Sequence, residues 1–117
     1  MKITSARHLV LAYLSIRGCA EKYTIHRDMK VLDTMGYNLE YRPTFRGNYS
    51  SYVQEGIDEL LGAGFAETNT NGGIRKICLT AQGNNLVTAL IRDNPEEYSK
   101  IGEILKQELK INGFGRI

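Results

Sequence analysis

The apolar positions of the chain fall into five stretches at helical spacing and one stretch at alternating spacing. In the first, Leu9 to Leu14 and Ile16 run almost all the way round a helix that Thr4 or Ser5 caps. It continues to about Arg17, where Gly18 is its left-handed stop. A helix apolar on every side must be covered on every side, so it is expected between the core and either the C-terminal helix or a second subunit. Thr24 caps a second helix with Ile25, Met29 and Leu32 on one face and Gly36 just past its end; Arg27, Asp28 and Lys30 then face water. The stretch Asn38 to Asn48, with Pro43 and Gly47, reads as an extended loop.

Ser50 or Ser51 caps a third helix carrying Val53, Ile57, Leu60 and Leu61, and Gly62-Ala63-Gly64 ends it. A hairpin follows. Phe65 to Thr68 is one arm, Asn71-Gly72-Gly73 supplies turn residues, and Ile74 to Leu79 returns. Thr80 caps a fourth helix with Leu86, Val87, Leu90 and Ile91 inward. Asn94-Pro95-Glu96-Glu97 starts a fifth, which buries Ile101, Ile104, Leu105 and Leu109 and places Lys106 and Lys110 near its negative end. The pattern predicts an α+β, mainly α, single domain over 1–117, with a core at 5–92 and an added C-terminal helix at 95–112. Three short helices followed by a two-stranded hairpin is the winged helix-turn-helix order.

Composition narrows the function classes. At 117 residues the chain fits one domain, large enough to remove roughly two thirds of its unfolded surface from water. No apolar run reaches the roughly 18 residues that span a bilayer. Leu9 to Leu14 resembles a signal-peptide core but has no small-residue cleavage site after it, and a cytoplasmic protein is expected. Net charge is +2, from 15 Lys and Arg against 13 Asp and Glu. The pI of 8.6 lies below the value above about 9 usual for a large phosphate-gripping face, so the placement of charge matters more than its sum. Cys19 and Cys78 show no metal-ligand spacing and read as small buried hydrophobes in a reducing compartment; His8 and His26 read as ordinary helix residues. No phosphate-binding Gly-Lys-Ser/Thr loop, Gly-x-Ser-x-Gly or His-Glu-x-x-His occurs. Neither catalysis nor a metal or organic cofactor is expected.

The run from Ser50-Ser51-Tyr52-Val53 through Ile57-Asp58-Glu59-Leu60 and Gly64-Phe65-Ala66-Glu67 to Leu79-Thr80-Ala81-Gln82-Gly83 resembles the third helix and wing of MarR- and PadR-like regulators. The segment Tyr41 to Ser50 is similar to the YwgA-like winged-helix proteins, with Asn48 where that group carries Pro. The resemblance covers roughly residues 6–90. It implies a winged helix, often a dimer and often a transcription regulator.

A recognition helix sets its N-terminal side chains against base edges while nearby basic groups hold phosphates. Ser50, Ser51, Tyr52 and Gln54 stand at that end of the third helix. Arg42 and Arg46 precede it, Arg75 and Lys76 lie on the hairpin, and Arg27 and Lys30 lie on the second helix. The expected partner is double-stranded DNA, bound by a homodimer joined through the first and C-terminal helices. Against this, the third helix carries Glu55, Asp58 and Glu59 and has no Lys or Arg. The alternative is a protein-interaction module, antitoxin-like or adaptor, that uses the acidic helix face. Tyr49 is expected to pack rather than to contact a ligand.

Overall fold

The structure, a computed structural model, describes residues 5–45 and 47–109. Thr4, Arg46, Lys110 and the last positions of the expected fifth helix lie outside that range, as does the side chain of Leu109. The architecture is α+β and mainly helical. In chain order the described elements are α1 (Ala6–Arg17), α2 (Lys22–Leu32), a π-type turn (Asp33–Tyr37), β1 (Arg42–Thr44), β2 (Gly47–Tyr49), α3 (Ser51–Gly62), β3 (Ala66–Asn71), β4 (Ile74–Leu79), α4 (Ala81–Asp93) and α5 (Pro95–Leu109). The strands form two separate antiparallel hairpins, β1–β2 and β3–β4. No described helix is long and apolar enough to cross a membrane.

Helix α1 is the centre of the molecule. Ser5 caps it by accepting from the His8 amide, and every residue from His8 to Leu14 is buried. It packs against α3, α4, α5 and β4 at once. Gly56 makes the α3 contact possible: a Cβ there would stand 3.0 Å from the Arg7 backbone. Ile101 and Leu105 of α5 are also fully buried against this core, and Ser15 of α1 shares a hydrogen bond with the Tyr98 hydroxyl of α5. The apolar surface of α1 is thus covered within one chain. This is the first of the two coverings its pattern allows, with the C-terminal helix α5 among the neighbours.

Helix α2 begins earlier than Thr24 suggests. Ala20 pairs with Ile77 of β4 through two backbone hydrogen bonds, Ala20 N–H to Ile77 O (3.1 Å) and Ile77 N–H to Ala20 O (2.8 Å). That bridge holds Ala20 extended, and the helix starts at Lys22 after Glu21. Asp28 is a further correction. It is only 4% exposed and accepts a 2.6 Å hydrogen bond from the Tyr13 hydroxyl, with Arg27 at 3.1 Å and Arg17 at 3.8 Å. Burial, followed by this hydrogen bond, raises the Tyr13 pKa well above that of a solvated phenol.

The same bridge explains the cysteines. In an antiparallel ladder, positions next to a hydrogen-bonded pair form a non-hydrogen-bonded pair with Cα atoms about 4.5 Å apart. Cys19 and Cys78 occupy that neighbouring position, their Cα atoms lie 4.3 Å apart, and they form a disulfide. The reading of two separate buried thiols is overturned, and with it the cysteine argument for a reducing compartment. The residues are 59 positions apart, so the sequence spacing conceals the pair.

The stretch expected as a loop contains the β1–β2 hairpin, in the register Arg42↔Tyr49, Pro43↔Asn48, Thr44↔Gly47. Its arms are only three residues long and exposed throughout, so they carry no alternating apolar signal. The second hairpin turns at Gly72 and Gly73, both at positive φ, as a two-residue hairpin turn demands. Its outer half, including Ile74, Arg75 and Lys76, projects into solvent, whereas Ile77 and Cys78 are buried. Thr80 then caps α4 by accepting from the Gly83 amide, and donates to the Gly64 carbonyl at 2.6 Å. A Cβ at Gly83 would collide with the Phe65 carbonyl oxygen, which gives a physical reason for glycine in Leu79-Thr80-Ala81-Gln82-Gly83.

Two stability predictions follow from these contacts. Replacing Cys19 and Cys78 with serine is expected to cost about 4 kcal/mol, the value for opening a loop of this order. It is read as a lower urea midpoint than that of the oxidised wild type; a matching midpoint would refute the staple. Gly83→Ala is expected to cost about 3 kcal/mol through forced backbone displacement, checked by the same titration.

Candidate functional site

Around the start of α3, three elements meet. Ser50 ends β2's exit in extended backbone and caps α3: its hydroxyl accepts from the Val53 amide at 3.1 Å and donates to the Leu39 carbonyl at 2.6 Å. Ser50 is 0% exposed. Its expected role as a DNA contact is corrected, because both the side chain and its hydrogen bonds are used inside the fold.

The Ser50 amide donates to His26 Nδ1 at 3.5 Å. With Nδ1 accepting, the ring proton sits on Nε2, which donates to Gln54 Oε1 at 3.2 Å. Gln54 Nε2 in turn donates to Asp58 Oδ1 at 3.0 Å. A chain of polar contacts therefore runs from the α3 cap through α2 and back onto α3. The neutral His26 ring also stacks on Tyr49 with centroids 4.9 Å apart, and the Tyr41 hydroxyl donates to the His26 carbonyl at 2.7 Å. His26 thus fastens the β1–β2 hairpin to both helices. It is not the ordinary helix residue the sequence suggests. Desolvation lowers its pKa most; the Gln54 hydrogen bond opposes this and Lys22 adds to it.

Between α2, the hairpin and α3 lies an open hollow of about 510 Å³. Tyr23, Tyr49 and His26 give it aromatic walls, and Lys22, Asn48 and Asp58 supply polar edges. Tyr49 both packs and faces solvent, at 41% exposed. The sequence pattern does not single out Lys22 or Tyr23 and gives His26 as an ordinary helix residue; the signal it does carry is the density of aromatic residues at Tyr41, Phe45, Tyr49 and Tyr52, close to a helix start.

The other expected site residues are distributed unevenly. Ser51 and Tyr52 are exposed in the first turn of α3, with the Tyr52 hydroxyl donating to Glu40 at 3.3 Å. Arg42 is exposed on β1, directly across from Tyr49. Arg75 and Lys76 are exposed on β4, across from Thr70 and Asn69. The Ala20–Ile77 bridge ties the base of this hairpin to the residues just before α2. Arg27 and Lys30 do not join the group. Arg27 pairs with Asp28, and Lys30 pairs with Asp33 at 3.7 Å and lies 5.6 Å over the Tyr41 ring. Arg46 is outside the described residues. The outward ridge of α3, Ser51, Glu55, Asp58 and Gly62, is exposed and acidic, and a second hollow beside it holds Glu55, Glu59, Tyr52 and Arg7.

No protein-family model, curated protein or solved structure matches the chain.

The His26 contacts set a pH dependence. Burial disfavours the charged ring, and its pKa lies below the ordinary 6.5; a protonated ring would also leave the Ser50 amide without its acceptor. Below that value the unfolded chain binds the proton first. The stabilisation is full above pH 6.5 and is lost as pH falls towards the lowered folded value. The slope contributed by this one group is at most about 1.4 kcal/mol per pH unit. Urea midpoints at pH 8 to 5 should decline less in His26→Gln than in wild type; parallel declines would contradict the assignment.

Proposed function

We propose that the chain is a winged-helix DNA-binding protein with a role in transcription regulation. In this reading α3 is the recognition helix, β3–β4 is the wing, and the Ala20–Ile77 bridge supplies the strand contact between the α1–α2 junction and the wing. The observation that carries it is the placement of exposed basic and polar side chains from separate elements round the start of α3. Ser51 is exposed on its first turn beside the half-buried Gln54, Arg42 lies on the adjoining hairpin, and Lys22 on α2. Recognition helices present their N-terminal residues to base edges, and Gln pairs with adenine while Ser serves several bases. Arg75 and Lys76, exposed on the outer wing, suit phosphate contacts that position without reading sequence.

The acidic ridge shapes the reading. Glu55 and Asp58 on the outer line of α3 would meet phosphates if the whole helix lay along the groove. Contact by the first turn, with the helix body angled away, avoids that repulsion. Double-stranded DNA is the proposed partner and no cofactor is part of the proposal. The disulfide fits such a role in cells whose interior tolerates protein disulfides, as in hyperthermophiles, and the cytoplasmic assignment is proposed on that condition. The same ridge favours a second reading, in which a basic protein partner docks on Glu55, Asp58 and Glu59.

Arg75→Ala with Lys76→Ala is expected to weaken binding to duplexes of any sequence. It should flatten the dependence of log K on log salt by about one unit per lost phosphate contact. Polarisation titrations against random duplex at several salt concentrations measure this. An unaltered slope removes the wing from the interface, and a wild type that binds no duplex at low salt leaves the protein-partner reading.

A further inference from the structure

The hollow between α2, the β1–β2 hairpin and α3 has features that duplex phosphate contact does not use. Its walls are aromatic side chains held in place by other contacts. Tyr49 is fixed by stacking on His26, and His26 by the Ser50 amide and Gln54. Tyr23 is 60% exposed, yet its ring edge lies against the hairpin: a Cβ on Gly47 would stand 3.7 Å from Tyr23 Cε1. Gly47, at φ +114°, keeps the hairpin backbone close to that ring. Two tyrosine rings thus border one hollow and remain accessible to solvent. Such rings lose little conformational freedom on binding a flat partner.

The edges of the hollow are polar in a complementary way. Lys22 is a cation at the rim, suited to a phosphate. Asn48 offers a donor and an acceptor. Asp58 has Oδ1 engaged by Gln54 and lines the hollow as an acceptor for ring amino or imino groups. An aromatic wall, a nearby cation and hydrogen-bonding edges together match a nucleotide whose base has left its stack. Base-on-aromatic stacking tolerates any base because each has a π face. A base paired inside a duplex has no face to offer, so the hollow is not filled by regular duplex binding.

We infer that this hollow takes an unstacked nucleobase, with Tyr23 and Tyr49 as the stacking surfaces and Lys22 on the adjoining phosphate. The inference rests on the DNA-binding reading and names a substrate preference within it: DNA carrying an unpaired nucleotide over the same DNA fully paired. Stacking of one base is worth enough to tighten binding roughly fivefold to a hundredfold.

The test compares two labelled probes, a random-sequence duplex and the same duplex with one extrahelical adenine, by polarisation at one salt concentration. Wild type is expected to bind the bulged probe at least about fivefold more tightly. Tyr23→Ala should bring the ratio of the two affinities close to one, and Tyr23→Phe, which keeps the ring, should retain it. Thermal unfolding of each variant shows that it is folded. A ratio near one for wild type, or a ratio untouched by Tyr23→Ala, overturns the inference while duplex binding still stands. Failure of wild type to bind either probe overturns it together with the DNA reading on which it rests.

Discussion

The need to cover α1 on all sides organises this molecule. Seven consecutive residues from His8 to Leu14 are buried, and no single neighbour can shield a helix whose apolar surface goes all the way round. Helix α3 takes one side, by the close crossing at Gly56. Helices α4 and α5 take others, and β4 closes the rest near the end of α1. The C-terminal helix is therefore a structural part of the core. Its fully buried Ile101 and Leu105 fill space that a helix-helix-helix-hairpin unit alone would leave open. Placing α3 against α1 also fixes which of its faces looks outward, and this decides that Glu55 and Asp58 form the exposed ridge.

A second layer of constraint acts at the α1–α2 junction. One bridge pair, Ala20 with Ile77, and one disulfide beside it connect the second hairpin to the start of α2. The consequences travel in both directions. The bridge fixes where α2 begins, and so places Lys22, Tyr23 and His26 on its first turns. It also anchors the inner half of β4, so that the exposed outer half with Arg75 and Lys76 projects from a rigid base. The Asp28 cluster adds to the same joint, because a buried carboxylate needs partners and finds them in Tyr13, Arg17 and Arg27. Arg27 is held to the joint by that need, which takes it out of the group round α3.

The caps of α1, α3 and α4 and the second hairpin were legible in the sequence because their causes are local, whereas the start of α2 was not, because the distant Ala20–Ile77 bridge sets it. Ser50, Thr80 and Gly72-Gly73 act within a few residues of themselves, and each stands where the pattern put it. What stayed hidden depends on contacts between distant segments. Cys19 and Cys78 meet only because an isolated bridge forms 57 residues apart in the chain, between Ala20 and Ile77. The β1–β2 hairpin has three-residue exposed arms, and its fastening is Tyr49 on His26, a pairing with no sequence period. Ser50 shows how one residue type supports two readings: the hydroxyl that suits a base edge equally suits a cap, and the Leu39 carbonyl and Val53 amide lay claim to it. Arg27 and Lys30 were legible as basic helix residues but not as ion-paired ones, since Asp28 and Asp33 become partners only through helical geometry and burial.

The inserted hairpin changes how the start of α3 can meet a ligand. The hairpin is stacked on His26, and His26 engages both Ser50 and Gln54. The Gln54 side-chain oxygen accepts from His26 and its nitrogen donates to Asp58, so reading a base with it means breaking contacts that hold the hairpin in place. Ser51 carries no such tie, and the exposed side chains of the hairpin extend the surface beyond the helix end. On the proposed reading, recognition is thereby shifted from the helix axis towards the junction of helix and hairpin. Charge is graded along the same face: Arg42 lies on the adjoining hairpin, Lys22 shares the hollow with Asp58, and Glu55 and Glu59 lie along α3. A ligand approaching this face meets cations and aromatic rings at the junction and anions along the helix. On the DNA-binding reading proposed above, polyanion contact is accordingly assigned to the end of α3 rather than to its length.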